Sequence, residues 1–311
     1  MAANKLRNST IAVLSTLACA ASAAEDKKSI YLLGVRASMA GYNPPSGFYA
    51  SSFTFLYSGR QNGDSLRLKA TAALDVLSLL WVSDATVLGG TFGLGLYAPM
   101  GYQRVTASIN PSGTLPGVWT VLSNDAKAIG DPLPLAFIAW QSGQFHYKLS
   151  GMVNVPIGDY SKTRIANIGI NRWAGDITGS VTWLDPASKF EISVSPGITF
   201  NGENRATRYK TGTEFHVEAA AMYHVSAAFS AGLAGYHYQQ LTGDSGIGAV
   251  QGALKGRVSA IGPNVTYNFQ IGQRPVYASA RWMKEFNAKN RLQGDVAYLT
   301  LTVPLGALPP R

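Results

Sequence analysis

The stretch "QFHYKLSGMVNVP", from Gln144 to Pro156, alternates between two kinds of side chain. Because successive side chains of a β-strand point to opposite faces, the pattern predicts a strand with one apolar and one polar face. Three later stretches, 171–184, 189–200 and 213–225, repeat it. In the quoted stretch the apolar face carries Phe145, Tyr147, Leu149, Gly151, Val153 and Val155, and the other face carries His146, Lys148, Ser150, Met152 and Asn154.

The length of these runs indicates strands that cross a membrane. A tilted transmembrane strand needs about 9–11 residues, whereas a typical strand of a soluble protein has about 5 or 6. Backbone groups inside hydrocarbon must all be paired, which forces such strands to close into a barrel. Aromatic side chains near the ends of the runs are typical of the girdles at the two membrane surfaces. The candidates for these girdles are Phe53, Phe55, Tyr57, Trp173, Trp183, Phe190 and Phe200.

The whole pattern predicts an all-β fold, a transmembrane antiparallel β-barrel of twelve strands. Short turns, such as 81–85, belong on the periplasmic side, and longer loops, such as 58–66 and 99–132, belong outside. The loop 99–132 is long enough to form a lid or a constriction. The predicted strands are 48–57, 67–80, 86–98, 133–142, 144–156, 171–184, 189–200, 213–225, 227–240, 254–269, 274–286 and 292–303.

The N-terminus has the pattern of a cleaved export signal. Lys5 and Arg7 precede a short apolar stretch, and small residues follow at 21–24. We therefore predict a signal peptide over 1–24, an N-terminal periplasmic segment or partial plug over 25–46, and an outer-membrane barrel over 47–311. Cys19, the single cysteine, lies inside the signal, so the mature chain has no disulfide. These features predict the bacterial outer membrane as the location.

Composition supports a membrane-embedded protein. Charged residues make up 14% of the chain, well below the roughly 25% of ordinary soluble domains. After the signal, the most apolar run is "TAALDVLSLLWV", which is too short for a membrane-spanning helix and contains Asp75. Removal of Lys5 and Arg7 lowers the formal net charge from +9 to +7. Since no basic run accompanies this charge, it favours anionic lipopolysaccharide or anionic solutes as partners, and not nucleic acid.

The quartet Gly243-Asp244-Ser245-Gly246 is similar to the nucleophile loop of a serine protease. A protease also needs a histidine base beside the serine. All four histidines fall in predicted strands, whereas Ser245 falls in an outer loop, so we predict an unactivated serine and no enzyme activity. Histidine spacing gives no metal site, and no phosphate-binding glycine loop leads into a helix, so we predict no metal and no cofactor.

Polar residues on the predicted inner face are candidates for contact with a solute. Their charges nearly balance, with a slight positive excess that favours carboxylated solutes; charges that only pair across strands are the alternative. The candidates are His146, Lys148, Asn154, Arg172, Asp176, Glu191, His216, Glu218, His224, Arg257, Arg281 and Glu285.

Several stretches resemble the outer-membrane family known as "MetA-pathway of phenol degradation". They are "YLLGVRASMAGYNPPSGFY" (31–49), "VLGGTFGLGLYAPMG" (87–101), "VPIGDYSKTRIANIGINRW" (155–173), "NGENRATRYKTGTEFHVEAAAMYH" (201–224), "GYHYQQLTGDSGIG" and "KGRVSAIGPNV" (235–265). The resemblance implies an outer-membrane channel for small hydrophobic or aromatic compounds, linked to their catabolism. It supplies no catalytic residue. The chain departs from many barrel proteins by ending "LTVPLGALPPR", without a terminal aromatic residue.

Two other functions stay open at this point. One is a structural or adhesive barrel without an open pore. The other is a barrel hydrolase acting at the outer rim, which would need a Ser/His/acid cluster in loops that contain no histidine. The direction of transport, the solute and the oligomeric state do not follow from the sequence.

Overall fold

The computed structural model describes residues 29–110 and 119–306. The signal peptide predicted for 1–24 lies outside them. Among the described residues no helix is long and apolar enough to span a bilayer. The strands are β1 (Gly47–Asn62), β2 (Leu66–Val87), β3 (Gly90–Ile109), β4 (Thr120–Ile129), β5 (Leu133–Ser142), β6 (Phe145–Asn154), β7 (Ala174–Asp185), β8 (Phe190–Asn201), β9 (Glu203–Asn204), β10 (Tyr209–Lys210), β11 (Glu214–His224), β12 (Phe229–Gln240), β13 (Arg257–Ile271), β14 (Arg274–Lys289) and β15 (Gln293–Leu305).

The large sheet closes on itself. Each strand pairs antiparallel with its neighbour, and β1 pairs with β15 to complete the ring. The C-terminal half of β3, from Met100 to Ile109, pairs with β4, and its N-terminal half, from Thr91 to Tyr97, pairs with β5. The strands β4 and β5 therefore share one position in the barrel wall. The ring therefore has twelve strand positions, and β9 and β10 form a separate small hairpin. This confirms the predicted twelve-stranded antiparallel barrel.

The prediction for the first hairpins was wrong in detail. Much of the predicted loop 99–132 is strand, because β3 continues to Ile109 and β4 covers Thr120–Ile129. The predicted turn 81–85 lies within β2, and most of the predicted loop 58–66 lies within β1 and β2. Beyond the membrane the outward face of these strands is polar and the inward face apolar. This reversal hides the alternation that marks the other strands.

Alternation along the remaining strands places apolar side chains outside. Leu149, Ile177 and Ile192 are 49%, 55% and 48% exposed on the outer surface, as lipid-facing residues of a barrel are. Of the predicted girdle residues, Trp173, Phe190 and Phe200 are also exposed. The girdle prediction was wrong for Phe53, Phe55 and Tyr57, which face the lumen, because the apolar residues of this part of β1 lie on its inner face. The Phe55 ring contacts Tyr298, and the Tyr57 hydroxyl donates to Glu285.

The N-terminal segment 29–46 contributes to the interior of the barrel. Ile30, Tyr31 and Leu33 are buried in one cluster with inward side chains of strands from several sides of the ring, including Tyr236 and Met283. The segment then leads into β1 at Gly47. A chain segment inside the ring thus decides how much of the lumen is left open.

Candidate functional site: the barrel lumen

The inner wall has two chemically different halves. The polar half, on β6, β7, β8 and β11, presents hydroxyls, carboxylates and imidazoles. The apolar half, on β1, β2 and β3, presents aliphatic and aromatic side chains. Buried members of the polar half are His146, Ser150, Asn154, Asp176, Thr178, Ser180, Thr182, Glu191, Ser193, Ser195, Thr199, His216 and Glu218. Members of the apolar half are Phe53, Phe55, Tyr57, Leu68, Ala70, Ala72, Leu74, Val76 and Val105.

Three glutamates bind the N-terminal segment to the wall. Ser29 Oγ donates to Glu214 Oε2 at 2.8 Å, and the Gly34 backbone N–H donates to Glu218 Oε1 at 2.6 Å. Glu191 accepts from both Ser38 Oγ (2.8 Å) and the Met39 backbone N–H (2.6 Å). The contacts run from the outer end of β11 to the periplasmic end of β8, so the segment extends along most of the lumen.

Two cations hold backbone carbonyls of the same segment. Arg281 Nη1 donates to Gly34 O at 2.8 Å and to Val35 O at 3.2 Å. Lys148 Nζ donates to Tyr42 O at 2.5 Å, nearer the periplasmic end. Backbone donors and acceptors that leave water must find partners, and charged side chains provide the strongest ones.

Close backbone approach explains one glycine of the segment. A Cβ on Gly41 would lie 2.4 Å from the carbonyl oxygen of His146 and 2.8 Å from the backbone nitrogen of Thr182. Both obstacles are backbone of neighbouring strands and cannot move aside. The Gly41 N–H also donates to Thr182 Oγ1 at 2.9 Å, which fixes the segment at that height.

A buried His–Asp pair lies beneath the segment. His216 Nε2 lies 2.8 Å from Asp176 Oδ2, and the Tyr31 ring stacks on His216 with centroids 3.5 Å apart. Thr178 and Thr199 also donate to Asp176. With Tyr31 covering it, the pair acts as a support for the segment.

Two cavities lie between the segment and the apolar half. One of about 210 Å³ is lined by Tyr31, Leu32, Phe55, Ala72 and Leu74, with Tyr57, Glu285 and Arg291 as polar members of its wall. The second, of about 140 Å³, shares Tyr31, Leu32 and Leu74 and adds Phe53, Val76, Tyr97 and Arg36. Each cavity is mostly apolar and has one guanidinium at its wall.

The outer loop 155–173 covers both cavities. Ile168 and Ile170 line them, and Ile165 and Ala166 are buried in a cluster with Leu68, Ala70 and Val105. Asp131, in the break between β4 and β5, accepts from the backbone N–H of Gly158 at 2.7 Å and of Ile170 at 2.8 Å. The cover predicted for 99–132 is thus formed by a different loop, anchored by one residue of the predicted stretch.

Most of the predicted lumen residues face inward, but few of them line a cavity. Asn154 and Glu285 line the cavities. Glu191, Glu218, Lys148 and Arg281 contact the N-terminal segment instead. The inward set is His146, Lys148, Asn154, Asp176, Glu191, His216, Glu218, His224, Arg281 and Glu285.

Two members of the predicted set lie elsewhere. Arg172 is buried in the loop before β7, where its Nε donates to Asn201 Oδ1 at 3.1 Å. Arg257 is not in the lumen: it is exposed and alternates with the buried Val258, so it lies on the outer surface. The prediction for Arg257 was wrong because alternation gives two faces without saying which is inner, and polar residues lie outward at the outer end of β13.

Sequence reasoning missed the apolar half. The sequence predicts a strand over 67–80, which includes most of the run "TAALDVLSLLWV", but the polar candidates for its lumen contacts lie on other strands; Ala72, Leu74 and Val76, on alternate positions of the run, line the cavities. Apolar residues on both faces of one strand were the signal that could have found it. In the described part of the chain, no three His, Cys, Asp or Glu side chains are grouped to hold a metal ion.

The quartet Gly243-Asp244-Ser245-Gly246, for which we predicted an unactivated serine, is part of an outer loop with defined backbone contacts. The backbone of Ser245 pairs with Lys210 in both directions at 2.9 Å, and Asp244 accepts from the Gly212 N–H. Gln240 Nε2 also donates to Asp244 Oδ1. These contacts give Asp244 and Ser245 roles in holding the loop to the β9–β10 hairpin.

Comparison with known proteins finds a family model and solved structures that are similar to this chain. A family model described as MetA-pathway of phenol degradation matches residues 54–301. The solved COG4313 outer membrane channel from Pseudomonas putida F1 aligns at a TM-score of 0.70 with 14% identity, covering 88% of this chain and 100% of that one. At this identity the likeness shows the fold alone.

Other solved barrels align more weakly. A Pseudomonas aeruginosa FadL homologue gives a TM-score of 0.37 at 10% identity, covering 85% of this chain and 93% of that one. The β domain of the Bordetella autotransporter BrkA gives 0.45 at 9% identity, covering 84% and 100%. No curated protein matches the chain by sequence.

Proposed function

Since this chain belongs to the MetA-pathway of phenol degradation family, we propose that it is an outer-membrane channel for uptake of small hydrophobic or aromatic compounds, including carboxylated ones. Its fold is that of outer-membrane channel barrels. The proposal includes export by a signal peptide over 1–24 and insertion into the bacterial outer membrane. The partners it implies are the solute and the surrounding lipid and lipopolysaccharide.

The observation that carries the proposal is the apolar cavity of about 210 Å³ inside the barrel. A cavity of about 150 Å³ lined by Leu, Ile and Phe is enough to bind benzene. The larger lumen cavity therefore accommodates one aromatic ring, with Leu74 and Phe55 as apolar contacts. A channel for sugars would instead need a hydrated, polar wall, which here is covered by the N-terminal segment.

The polar members of the cavity wall supply preference among aromatic solutes. The Glu285 carboxylate accepts from the hydroxyls of Tyr57 (3.0 Å) and Tyr236 (2.6 Å). Arg291 lies with its guanidinium 4.0 Å from the centre of the Tyr238 ring. The hydroxyl of a phenol can donate to the Glu285 carboxylate, and the carboxylate of an aromatic acid can accept from the Arg291 guanidinium.

The N-terminal segment is the partial plug of this proposal. It separates the larger cavity from the polar half and has no regular strand pairing of its own, so side-chain contacts hold it in place. Passage of a solute requires that the segment or the loop 155–173 shift. Of the predicted solute contacts, Asn154 and Glu285 act in the resting state, and the remaining inward residues act once the segment moves.

Permeation through the refolded protein in liposomes tests the function. We expect phenol-like and benzoate-like solutes to enter faster than sugars of similar size, because only they can leave water for the apolar wall. If sugars enter as fast, the selective channel is rejected. If nothing enters while the protein still shows the heat-dependent gel shift of a folded barrel, a structural barrel without an open pore replaces it.

A pair of neighbouring alanines localises the route. Ala72 lines the larger cavity, whereas Ala73 is exposed on the lipid-facing surface one residue later. We expect Ala72→Phe to slow aromatic entry severalfold because the new ring occupies the cavity, and Ala73→Phe to leave entry unchanged. Equal effects of the two substitutions would place the route outside this cavity.

A further inference from the structure

Besides Arg67, which packs on the Trp119 ring, six basic residues stand on the outer surface of the barrel near its outer end. They are exposed, and each lies on an outward position, alternating with buried or lumen-facing neighbours. We call them the outer cation ring: Arg60, Lys69, Arg104, Lys127, Arg257 and Lys289.

The ring lies at the boundary of the lipid-facing band. On β3, the outward residue before Arg104 is Tyr102, which is 37% exposed. On β14, the exposed Phe286 precedes Lys289 by three residues, and on β4 the exposed Ile129 follows Lys127 by two. Aromatic and apolar residues of a barrel end where lipid headgroups begin. The cations therefore lie at the height of the headgroups of the outer leaflet.

Two pairs in the ring place like charges directly opposite each other. Arg60 is the register partner of Lys69, and Arg257 is the register partner of Lys289. Side chains in such pairs have Cβ atoms about 4.5–5.5 Å apart, and like charges there destabilise the sheet. An anion between the two cations removes that cost.

Protein carboxylates do not supply this anion within the described residues, where no ion pair involves any of the six cations. An outward-facing lysine nearer the middle of the membrane does have a carboxylate partner. Lys284, closer to the middle of β14, has Asp295 opposite it at 3.8 Å. Lys284 and the boundary cation Arg104, whose register partner is Asp125, thus lie opposite carboxylates, whereas the four cations of the two like-charge pairs lie opposite one another.

Within residues 29–110 and 119–306, the periplasmic end has no comparable ring. The charged residues described on its outer surface are two acids, Asp84 and Asp185, and two cations, Lys189 and Arg274. Among the described residues, the positive excess on the outer surface therefore lies at the outward-facing end.

We propose that the outer cation ring binds the phosphate groups of a phosphorylated glycolipid in the outer leaflet, an inference that rests on the outer-membrane location included in the proposed function. Arg60 with Lys69 and Arg257 with Lys289 form two phosphate positions. Guanidinium groups bind phosphate with two parallel hydrogen bonds, and lysine adds a point charge. The bound lipid anchors the barrel in the outer leaflet and removes the repulsion within each pair.

Binding of bis-phosphorylated lipid A to the full-length protein in a non-ionic detergent tests the proposal. Each cation near an anionic lipid surface contributes about a fivefold change in affinity. We expect Arg60→Gln/Lys69→Gln, and separately Arg257→Gln/Lys289→Gln, to weaken binding about thirtyfold each. Lys162→Gln/Arg205→Gln removes two exposed loop cations and serves as the matched control, with affinity unchanged.

Three further arms make the result decisive. Dephosphorylated lipid A should lose most of the affinity, and inorganic phosphate at millimolar concentration should not displace the lipid. The charge-conserving Arg60→Lys/Lys69→Arg should bind like the original protein, and the heat-dependent gel shift verifies that each variant is folded. The proposal is overturned if the dephosphorylated lipid binds equally well, if free phosphate displaces it, or if the control variant loses as much affinity.

Discussion

The polar and apolar halves of the lumen face the same N-terminal segment but treat it differently. On the polar half, Glu191, Glu214 and Glu218 accept hydrogen bonds from the segment. On the apolar half, Phe55, Ala72 and Leu74 leave a gap of about 210 Å³. One wall is therefore filled by protein, and the other is left open.

The difference follows from the needs of backbone groups. A segment without regular pairing must find a partner for each buried N–H and C=O, and an unpaired buried group costs about 1–3 kcal/mol. The polar half offers carboxylates and hydroxyls for this purpose, whereas the aliphatic side chains of the apolar half cannot. The segment therefore lies against the polar half, and space for an apolar solute remains on the other side.

Removing the N-terminal segment is expected to have the largest effect on the difference between the filled polar half and the open apolar half. Deletion of 25–46 should raise single-channel conductance severalfold, because the polar half would then line a hydrated pore. Conductance in planar bilayers is the measurement. The preference for aromatic solutes over sugars should fall at the same time.

A variant of the same length tests whether the side chains of the segment, and not only the presence of a chain there, block the pore. Replacing 25–46 by Gly-Ser repeats keeps a tether of the same length but removes Tyr31, Arg36 and the other side chains that pack in the lumen. We expect it to conduct nearly as well as the deletion. Unchanged conductance in both variants would show that the segment does not block the pore.

Loosening one contact of the polar half should have an intermediate effect. Glu218→Ala leaves the Gly34 N–H without its acceptor, and loss of a hydrogen bond to a charged group costs about 1.5–3 kcal/mol. The urea dependence of unfolding measures the loss. Glu218→Gln keeps an acceptor oxygen and should be less destabilising. If the alanine variant is as stable as the original protein, Glu218 does not hold the segment.

A change to a polar member of the wall of the larger cavity should have the smallest effect, confined to charged solutes. Arg291→Gln removes the guanidinium from the larger cavity, so the ratio of benzoate to phenol entry should fall severalfold while phenol entry stays the same. Arg205→Gln, in an outer loop, is the control and should leave the ratio unchanged. A ratio unaffected by either substitution would remove Arg291 from solute selection.

The predicted strand boundaries were accurate where the outer face of the strand is apolar and the inner face polar. For residues 133–142 the predicted and observed strands coincide, and 189–200 differs by one residue from Phe190–Asn201. These strands lie inside the membrane, where lipid requires an apolar outer face. The outer parts of β3 and β4 project beyond the hydrocarbon of the membrane, so Arg104 and Lys127 can face outward and Val105 and Ala126 inward. In these parts the alternation of polar and apolar residues is the same, but the polar residues lie on the outer face and the apolar residues on the inner face.

The sequence by itself determined the barrel, its twelve strand positions and, for most strands, which side chains point inward. These properties depend on the period of two within each strand and on the requirement that every backbone group in lipid be paired. Only the tertiary structure decided what the inward side chains contact. Gly34 meets Glu218 and Arg281, residues more than 180 positions away, because closure of the ring brings distant strands around one segment. Local alternation contains no information about such contacts, so the division of the lumen into a filled polar half and an open apolar half appears only in the folded chain.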